Sequence, residues 1–336
     1  MPTVLDVARA AGVSRQTVSN VLNAPGLVRE ATRERVLTEI SRLGYQPHAS
    51  ARRLRTRRSS TLGVRLHEPE DGISGALLDQ FLHSLTASAD RRGYRVMLFA
   101  AADPGDEVAH IRRLSDGADV DAFVLTSTEH GDSRVRWLLD NDVPFITFGR
   151  PWGGEDLGLH PWVDVDGRAG TREATLHLLD GGRRRVGFLG WPSPSGTGDD
   201  RRLGWEQAVA ERGAPGGAGM TGESEDHIGE AEEVTARWLD RDPGLDGLVC
   251  ASDSLALGAS FAAGRAGRAL EVIGFDNTPV ARALGLSSVE QRTDLVAAAI
   301  LDLLLDGGGV RTAPEEGWET RLIAPELVLR SGRPGD

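Results

Sequence analysis

The stretch Leu5 to Asn23, LDVARAAGVSRQTVSNVLN, constrains this chain more than any other. Leu5, Val7, Ala8 and Ala11 recur at helical spacing and put small apolar side chains on one face. Gly12 follows at once, where a helix end favours a residue that tolerates positive φ. Ser14 is placed to cap a second helix, because its hydroxyl can accept a bond from an unpaired backbone N–H. That second helix buries Val18, Val21 and Leu22 and exposes Arg15, Gln16, Thr17 and Asn20. A polar face of this composition matches the hydrogen-bonding needs of base edges in a DNA major groove. The plainer reading is a helical hairpin with a solvated face. Two such helices bury too little to fold alone, and the chain supplies a third from Arg29 to Leu43, with Val36, Leu37, Ile40 and Leu43 at helical spacing and Gly44 closing it.

Charge is distributed to suit this reading. The whole chain carries a formal −12, yet residues 1–58 hold 11 arginines against four acids, a net +7, which leaves −19 on the remainder. A basic head on an acidic body fits a polyanion-binding module whose other part does not touch the polyanion. There is no lysine, which excludes a Walker A phosphate loop and a lysine Schiff base. Cys250 is the only cysteine, so an internal disulfide and a cysteine-based zinc cluster are excluded, and a reducing cytoplasm is the expected compartment. The N-terminus lacks the pattern of a secretory signal, and no apolar run approaches the roughly 18 residues of a membrane span.

Beyond the third helix lies YQPH followed by ASARRLRTRRSS. Pro47 can open a short helix, but residues 49–55 bury almost nothing as a lone segment, and helices this short are marginal in water. Leu54 stands alone among arginines. It reads either as an exposed linker residue or as a wedge pushed between base pairs from the minor groove, with Arg52, Arg53 and Arg55 neutralising phosphates.

The body starts at Thr61 and alternates short apolar runs with helical segments. Strands are expected at 62–66, 94–101, 121–127 and 144–150, then at 185–190, 247–252 and 270–276, with helices between them and a flexible glycine-rich loop at 213–222. This is the pattern of βαβ units and parallel sheets, here in two successive doubly wound lobes. Ligands in such sheets sit beyond the carboxyl ends of the strands. Those ends carry Arg150 and Trp152, Trp191, Ser252 and Asp253, and Asp276, while Trp162 lies beside Asp164 near the expected crossover. An indole against the apolar face of a pyranose, with guanidinium and carboxylate groups forking onto hydroxyls, holds a neutral sugar. For Trp205 the expected role is packing of helix on sheet, and for Trp137, Trp238 and Trp318 core or surface packing. Arg201 by itself is compatible with a surface ion pair to Asp199 or Asp200.

The head motif, the downstream LGYQPHASARRL and the sheet-rich body together resemble the LacI/GalR family of bacterial transcriptional regulators, over essentially the whole chain. The resemblance implies a homodimer with one head per half of a near-palindromic operator, and a hinge helix near Pro47 to Arg55 that folds when two copies pack in the minor groove. It implies that Arg15, Gln16 and Asn20 read bases and that Ser14, Thr17 and Ser19 mostly hold phosphates. His48 and Arg52 join the DNA contacts, with Leu54 as the intercalating leucine. The family commonly has Arg where this chain has Asn20, so at least one operator base should differ. Matching DRRLGW and IGFDN puts Arg201 and Asp276 on effector-binding positions, and His67, Ser252, Asp253 and Gln291 match cleft positions less firmly. The chain is expected to pass between lobes three times. The implied organisation is a helix-turn-helix head at 1–46, a hinge at 47–59, a first lobe from 60–160 plus 290–319, and a second from 161–289 plus 320–333.

The expected function is an effector-responsive DNA-binding repressor, with no cofactor or metal and no membrane partner. A solute-binding protein would share the body but should carry an export signal and no basic head. A sugar-acting enzyme finds no Gly-x-Ser-x-Gly nucleophile elbow here and no visible metal-ligand cluster, although paired carboxylates could still meet in the fold. Three tryptophans at strand ends favour a disaccharide or longer. FGRPWG, HPWVDVDG and GTGDDRRLGW resemble cellobiose-responsive repressors of that family, so a β-glucoside oligosaccharide is expected ahead of maltose-type or xylo-oligosaccharides.

Overall fold

The computed structural model describes residues 2–45, 58–67, 73, 75–153, 159–306, 309–311 and 317–330. His48, Arg52 and Leu54 of the expected hinge lie outside the described residues. The chain divides into two compact units, Met1–Ser59 and Ser60–Asp336.

In the first unit, helices α1 (Val4–Ala11), α2 (Arg15–Asn23) and α3 (Glu30–Leu43) follow one another. Thr3 and Asp6 form a reciprocal capping box at the start of α1, and Gly12 ends it at φ 63°. Gly44 ends α3 the same way at φ 62°. Val7, Ala8, Ala11, Val18, Val21, Val36 and Tyr45 form the core. Leu5 and Leu37, expected inside, are 41% and 44% exposed. Each lies one position off its helix's inward stripe, which runs through Val7, Ala8 and Ala11 in α1 and through Val36 and Ile40 in α3.

The second unit holds two six-stranded sheets. In the first, β1 (Thr61–Leu66), β2 (Arg95–Ala100), β3 (Ala122–Leu125), β4 (Phe145–Phe148), β5 (Trp162–Val165) and β13 (Thr320–Ile323) lie in the order β13-β5-β4-β3-β1-β2, all parallel. In the second, β6 (Val186–Gly190), β7 (Thr221–Glu223), β8 (Gly247–Cys250), β9 (Glu271–Phe275), β10 (Ser287–Glu290) and β14 (Glu326–Val328) lie in the order β14-β10-β9-β8-β6-β7, with β14 antiparallel to β10. Helices α4 (Gly75–Arg91), α5 (Pro104–Asp116), α6 (Ser133–Asp140) and α12 (Thr293–Leu304) belong with the first sheet. Helices α7 (Gly167–Asp180), α8 (Gly196–Arg212), α9 (Ile228–Arg241) and α10 (Asp253–Arg265) belong with the second, which α11 (Pro279–Ala283) completes. The short pair β11 (Leu305–Asp306) and β12 (Gly309–Val310) follows α12.

The chain therefore passes between sheets after Val165, after Glu290 and after Ile323. Two expectations need correction. Trp162–Val165 belongs to the first lobe, not the second. The segment 320–333, assigned whole to the second lobe, holds two strands in different sheets: Thr320–Ile323 pairs with β5 and Glu326–Val328 with β10. Pro325 sits at the break, where its missing N–H and the restricted residue before it interrupt a ladder. An apolar run carries no label saying which sheet edge will take it. The expected loop at 213–222 also gains structure. A 3₁₀ turn at Ala218–Met220 leads into β7, because Met220 is buried and anchors the chain against the second core.

Tryptophan packing follows expectation in two cases. Trp205 is fully buried and its indole N–H donates to the Val186 carbonyl at 3.0 Å. Trp238 lies in the same core. Trp137 lies under the Arg112 guanidinium at 5.3 Å, and Trp318 is half-buried.

Candidate functional site

The head presents one polar helix. Ser14 caps α2, its hydroxyl accepting the Thr17 N–H at 3.0 Å and pairing with the Thr17 hydroxyl at 2.9 Å. Val18 and Val21 point into the core and fix the roll of the helix. Arg15 and Gln16 are exposed as a result, while Thr17, Ser19 and Asn20 are half-buried. The Gln16 side-chain amide donates to the Asn20 side-chain oxygen Oδ1 at 3.0 Å, one turn away. That bond holds two groups capable of reading bases on a common face.

The body contains a cavity of about 760 Å³ between the two sheets. From the first lobe it is lined by His67, by Thr126, Ser127 and Thr128 after β3, by Phe148 at the end of β4 and Arg150 and Trp152 after it, by Asp164 on β5, and by the start of α4. From the second lobe come Trp191 after β6, Thr197, Asp200 and Arg201 on α8, Asp276 after β9 and Gln291 after β10. Nearly all of these sit at or just past strand C-termini, where loops are free to vary while the strands hold their roots in place.

Arg150 donates to Asp164 at 2.6 Å and to the Val165 carbonyl at 3.1 Å, faces Asp200 at 3.5 Å, and lies over the Trp152 ring at 5.0 Å. Burial raises the Asp164 carboxyl above the usual carboxylate range, with the Arg150 charge opposing the shift. Trp152 reaches the second lobe: a Cβ on Gly196, the first residue of α8, would come within 2.3 Å of its indole ring. Only a glycine admits that approach.

Arg201 is buried, stacked on Phe275 at 3.7 Å and near Trp191 at 5.3 Å, and donates to the Ala251 carbonyl. It faces Asp276 at 3.8 Å, which replaces the surface ion pair with Asp199 or Asp200 considered from sequence. Burial pushes the Asp276 carboxyl up to about 8; the Arg201 charge opposes this and the Asp253 charge adds to it. The Gln291 amide donates to Asp276 at 2.6 Å. His67 pairs with the Thr126 hydroxyl at 2.9 Å, and burial together with the Arg65 charge lowers its pKa. The indole N–H groups of Trp152 and Trp191 and the Arg201 Nε–H have no hydrogen-bond partner among the described residues.

Three sequence candidates do not line this cavity. Trp162 opens β5, at the opposite end of the strand from the cleft, which Asp164 and Val165 reach. Ser252 caps α10, and Asp253 opens that helix with its carboxylate turned away from the cavity. The Ser252 hydroxyl bonds Asp226 and accepts the Leu255 N–H at 3.2 Å. Asp253 is fully buried and accepts from the Thr278 N–H at 2.7 Å and the Ser288 hydroxyl at 2.6 Å. Their strand ends are filled by their own helix. Conversely, Thr126, Thr128, Asp164 and Asp200 line the cavity beyond the candidates expected from sequence. The strand-end rule points to Thr126, and Asp200 adjoins Arg201 in sequence. Among the described residues no group of three or more His, Cys, Asp or Glu side chains could hold a metal ion, and no helix is long and apolar enough to cross a membrane.

Residues 3–48 match the bacterial regulatory proteins of the lacI family, and residues 62–305 match the periplasmic binding proteins and sugar binding domain of the LacI family. This chain belongs to the LacI family. It is 30% identical over 317 residues to the HTH-type transcriptional regulator CelR of Thermobifida fusca, covering 91% of each chain. A crystal structure of a LacI-family regulatory protein from Chloroflexus aggregans superposes with a TM-score of 0.75 at 32% identity, over 82% of this chain and 99% of that one. A transcriptional regulator CelR–cellobiose complex superposes with a TM-score of 0.73 at 27% identity, over 99% and 100%. The protein is thus a LacI-family, sugar-responsive transcriptional repressor with a DNA-binding head, and not an enzyme.

Proposed function

We propose that this LacI-family repressor is released from its operator by cellobiose or a related β-glucoside oligosaccharide bound in the cavity between the lobes. The observation that carries the reading is the cavity itself. Two indoles, Trp152 and Trp191, face a set of charged groups, Arg150, Asp164, Asp200, Arg201 and Asp276, that suits vicinal hydroxyls. The volume of about 760 Å³ lies within the range of pre-formed ligand sites and has room for more than one pyranose. The T. fusca relative and the cellobiose complex support the choice of sugar.

Lining groups come from both sheets, so a sugar that touches both favours one angle between lobes. The ligand acts only through this difference in affinity between two arrangements. In a homodimer that change repositions one head against the other. On the DNA side, Arg15, Gln16 and Asn20 read base edges, Ser14, Thr17 and Ser19 hold phosphates, and the segment carrying His48, Arg52 and Leu54 enters the minor groove.

A thermal-shift screen against mono-, di- and trisaccharides tests the sugar, followed by operator-binding anisotropy with each hit. Ligand at 100 times its dissociation constant should stabilise the protein by about 2.7 kcal/mol. A shift with cellobiose that also weakens operator binding is the expected result. A response confined to α-glucosides would overturn the choice of sugar, and tighter operator binding would overturn its sign.

A further inference from the structure

Asp276 is presented to the cavity by a turn that L-amino acids disfavour. Asp276 has φ 106° and Asn277 φ 50°, two successive non-glycine residues in the left-handed region. Such a conformation persists only where surrounding contacts over-determine it. Those contacts converge on one side chain that does not touch the cavity. The Asp253 carboxylate accepts the Thr278 N–H at 2.7 Å through one oxygen and the Ser288 hydroxyl at 2.6 Å through the other. The Ser288 hydroxyl in turn accepts the Asn277 N–H at 2.9 Å. The Asp276 N–H itself is fixed to the Val289 carbonyl at 2.7 Å. From the far side, Arg330, just past β14, donates to the Asn277 side-chain oxygen at 2.6 Å and to the Leu286 carbonyl at 2.6 Å.

The fold has made room for this hub. A Cβ on Gly274 would collide with the Asp253 carboxylate, so the strand that leads to Asp276 carries glycine where the carboxylate crosses it. A carboxylate buried without contact to the cavity, yet bonded to successive links of one strained turn, is poorly explained as a helix cap alone. Ser252, not Asp253, is the residue that caps α10.

We propose that Asp253 is a positioning residue for the effector: acting through Ser288 and Thr278, it holds the 276–278 turn in the left-handed form that aims the Asp276 carboxyl at the sugar. This rests on the reading above that Asp276 contacts the effector. Ser288 and Arg330 complete the clamp, and the clamp joins α10, β10 and the final strand segment to one point of the cavity wall.

The test is cellobiose affinity by titration calorimetry on the full-length protein at pH 9, above the Asp276 pKa so that loss of the Asp253 charge does not itself change affinity, with operator affinity as the control for folding. Variants are Asp253→Ala, Asp253→Asn, Ser288→Ala, and Asp253→Ala combined with Asn277→Gly. Asp253→Ala should weaken cellobiose binding at least tenfold with operator affinity unchanged. Asp253→Asn and Ser288→Ala, which each keep part of the clamp, should fall between. Glycine adopts positive φ freely. Asn277→Gly in the Asp253→Ala background should therefore recover most of the sugar affinity without recovering the melting temperature, a separation that a purely structural role for Asp253 does not produce. Should Asp253→Ala prove too unstable to handle, the two milder variants carry the test. If Ser288→Ala and Asp253→Asn both fold and bind cellobiose within twofold of the unmodified protein, the inference is wrong. If the unmodified protein binds no sugar, the reading of the cavity fails first and this inference falls with it.

Discussion

Binding of a sugar to Asp276 should release a proton. Burial holds this carboxyl at about 8, so near pH 7 most molecules carry it protonated. With a pKa of 8, roughly a tenth is ionised at pH 7 and about a hundredth at pH 6. A sugar whose hydroxyls donate to the carboxylate, while Arg201 donates to the sugar, favours the ionised form. Cellobiose affinity should then rise about ninefold from pH 6 to 7, or about 1.3 kcal/mol, about fivefold from pH 7 to 8, and level off above. Near pH 7, about 0.9 proton should leave per site filled. Calorimetry in two buffers of different ionisation enthalpy reads that number directly, and Asp276→Asn should abolish both the slope and the release.

The same shift has a stability consequence of defined sign. Because the folded-state pKa lies above the unfolded value of 3.8, the contribution of this group to stability is fully present below about pH 3.8. It is lost as pH rises to about 8. The sugar-free protein should lose stability across that window, and saturating cellobiose should flatten the loss. A dissociation constant that stays constant between pH 6 and 8, with no proton exchanged, would refute the argument: Asp276 would then be ionised already or out of reach of the ligand.

Other outcomes follow from particular contacts. Gly196→Ala presses a methyl to 2.3 Å from the Trp152 indole, so the ring must shift away from α8; overpacking of this kind costs about 1–3 kcal/mol, and sugar affinity by calorimetry should fall accordingly while operator binding holds. Gly204→Ala drives a methyl against the Arg168 backbone where α7 crosses α8, which should lower folding stability by at least about 1–3 kcal/mol in urea titrations. Arg15→Ala should relax preference at one operator position by about 1–3 kcal/mol in a base-substitution series; uniform weakening across all sequences would instead assign Arg15 to phosphate.

Local chemistry in this sequence determined a good deal. The recognition helix was readable because capping, turn and core signals fall within twenty residues: Gly12 ends one helix, Ser14 starts the next, and Val18 and Val21 set its roll. The alternation of strands and helices in the body was readable for the same reason, since each βαβ unit is short. Cavity residues next to strand ends, Arg150, Trp152, Trp191 and Asp276, followed from the rule that loops beyond strand C-termini carry function.

What the tertiary structure alone decided concerns direction and partner choice between distant segments. Trp162 and Asp164 are two residues apart on one strand, but only the end of β5 that faces the cleft reaches it. Thr320–Ile323 and Glu326–Val328 have similar composition and join different sheets, because the free edge of each sheet is formed by residues far away in the chain. Asp253 sits at a strand end like the true lining residues and turns inward, toward Thr278 and Ser288, which are 25 and 35 residues on. A side chain's neighbours across such distances are set by packing of whole elements, and one-dimensional spacing carries no record of them.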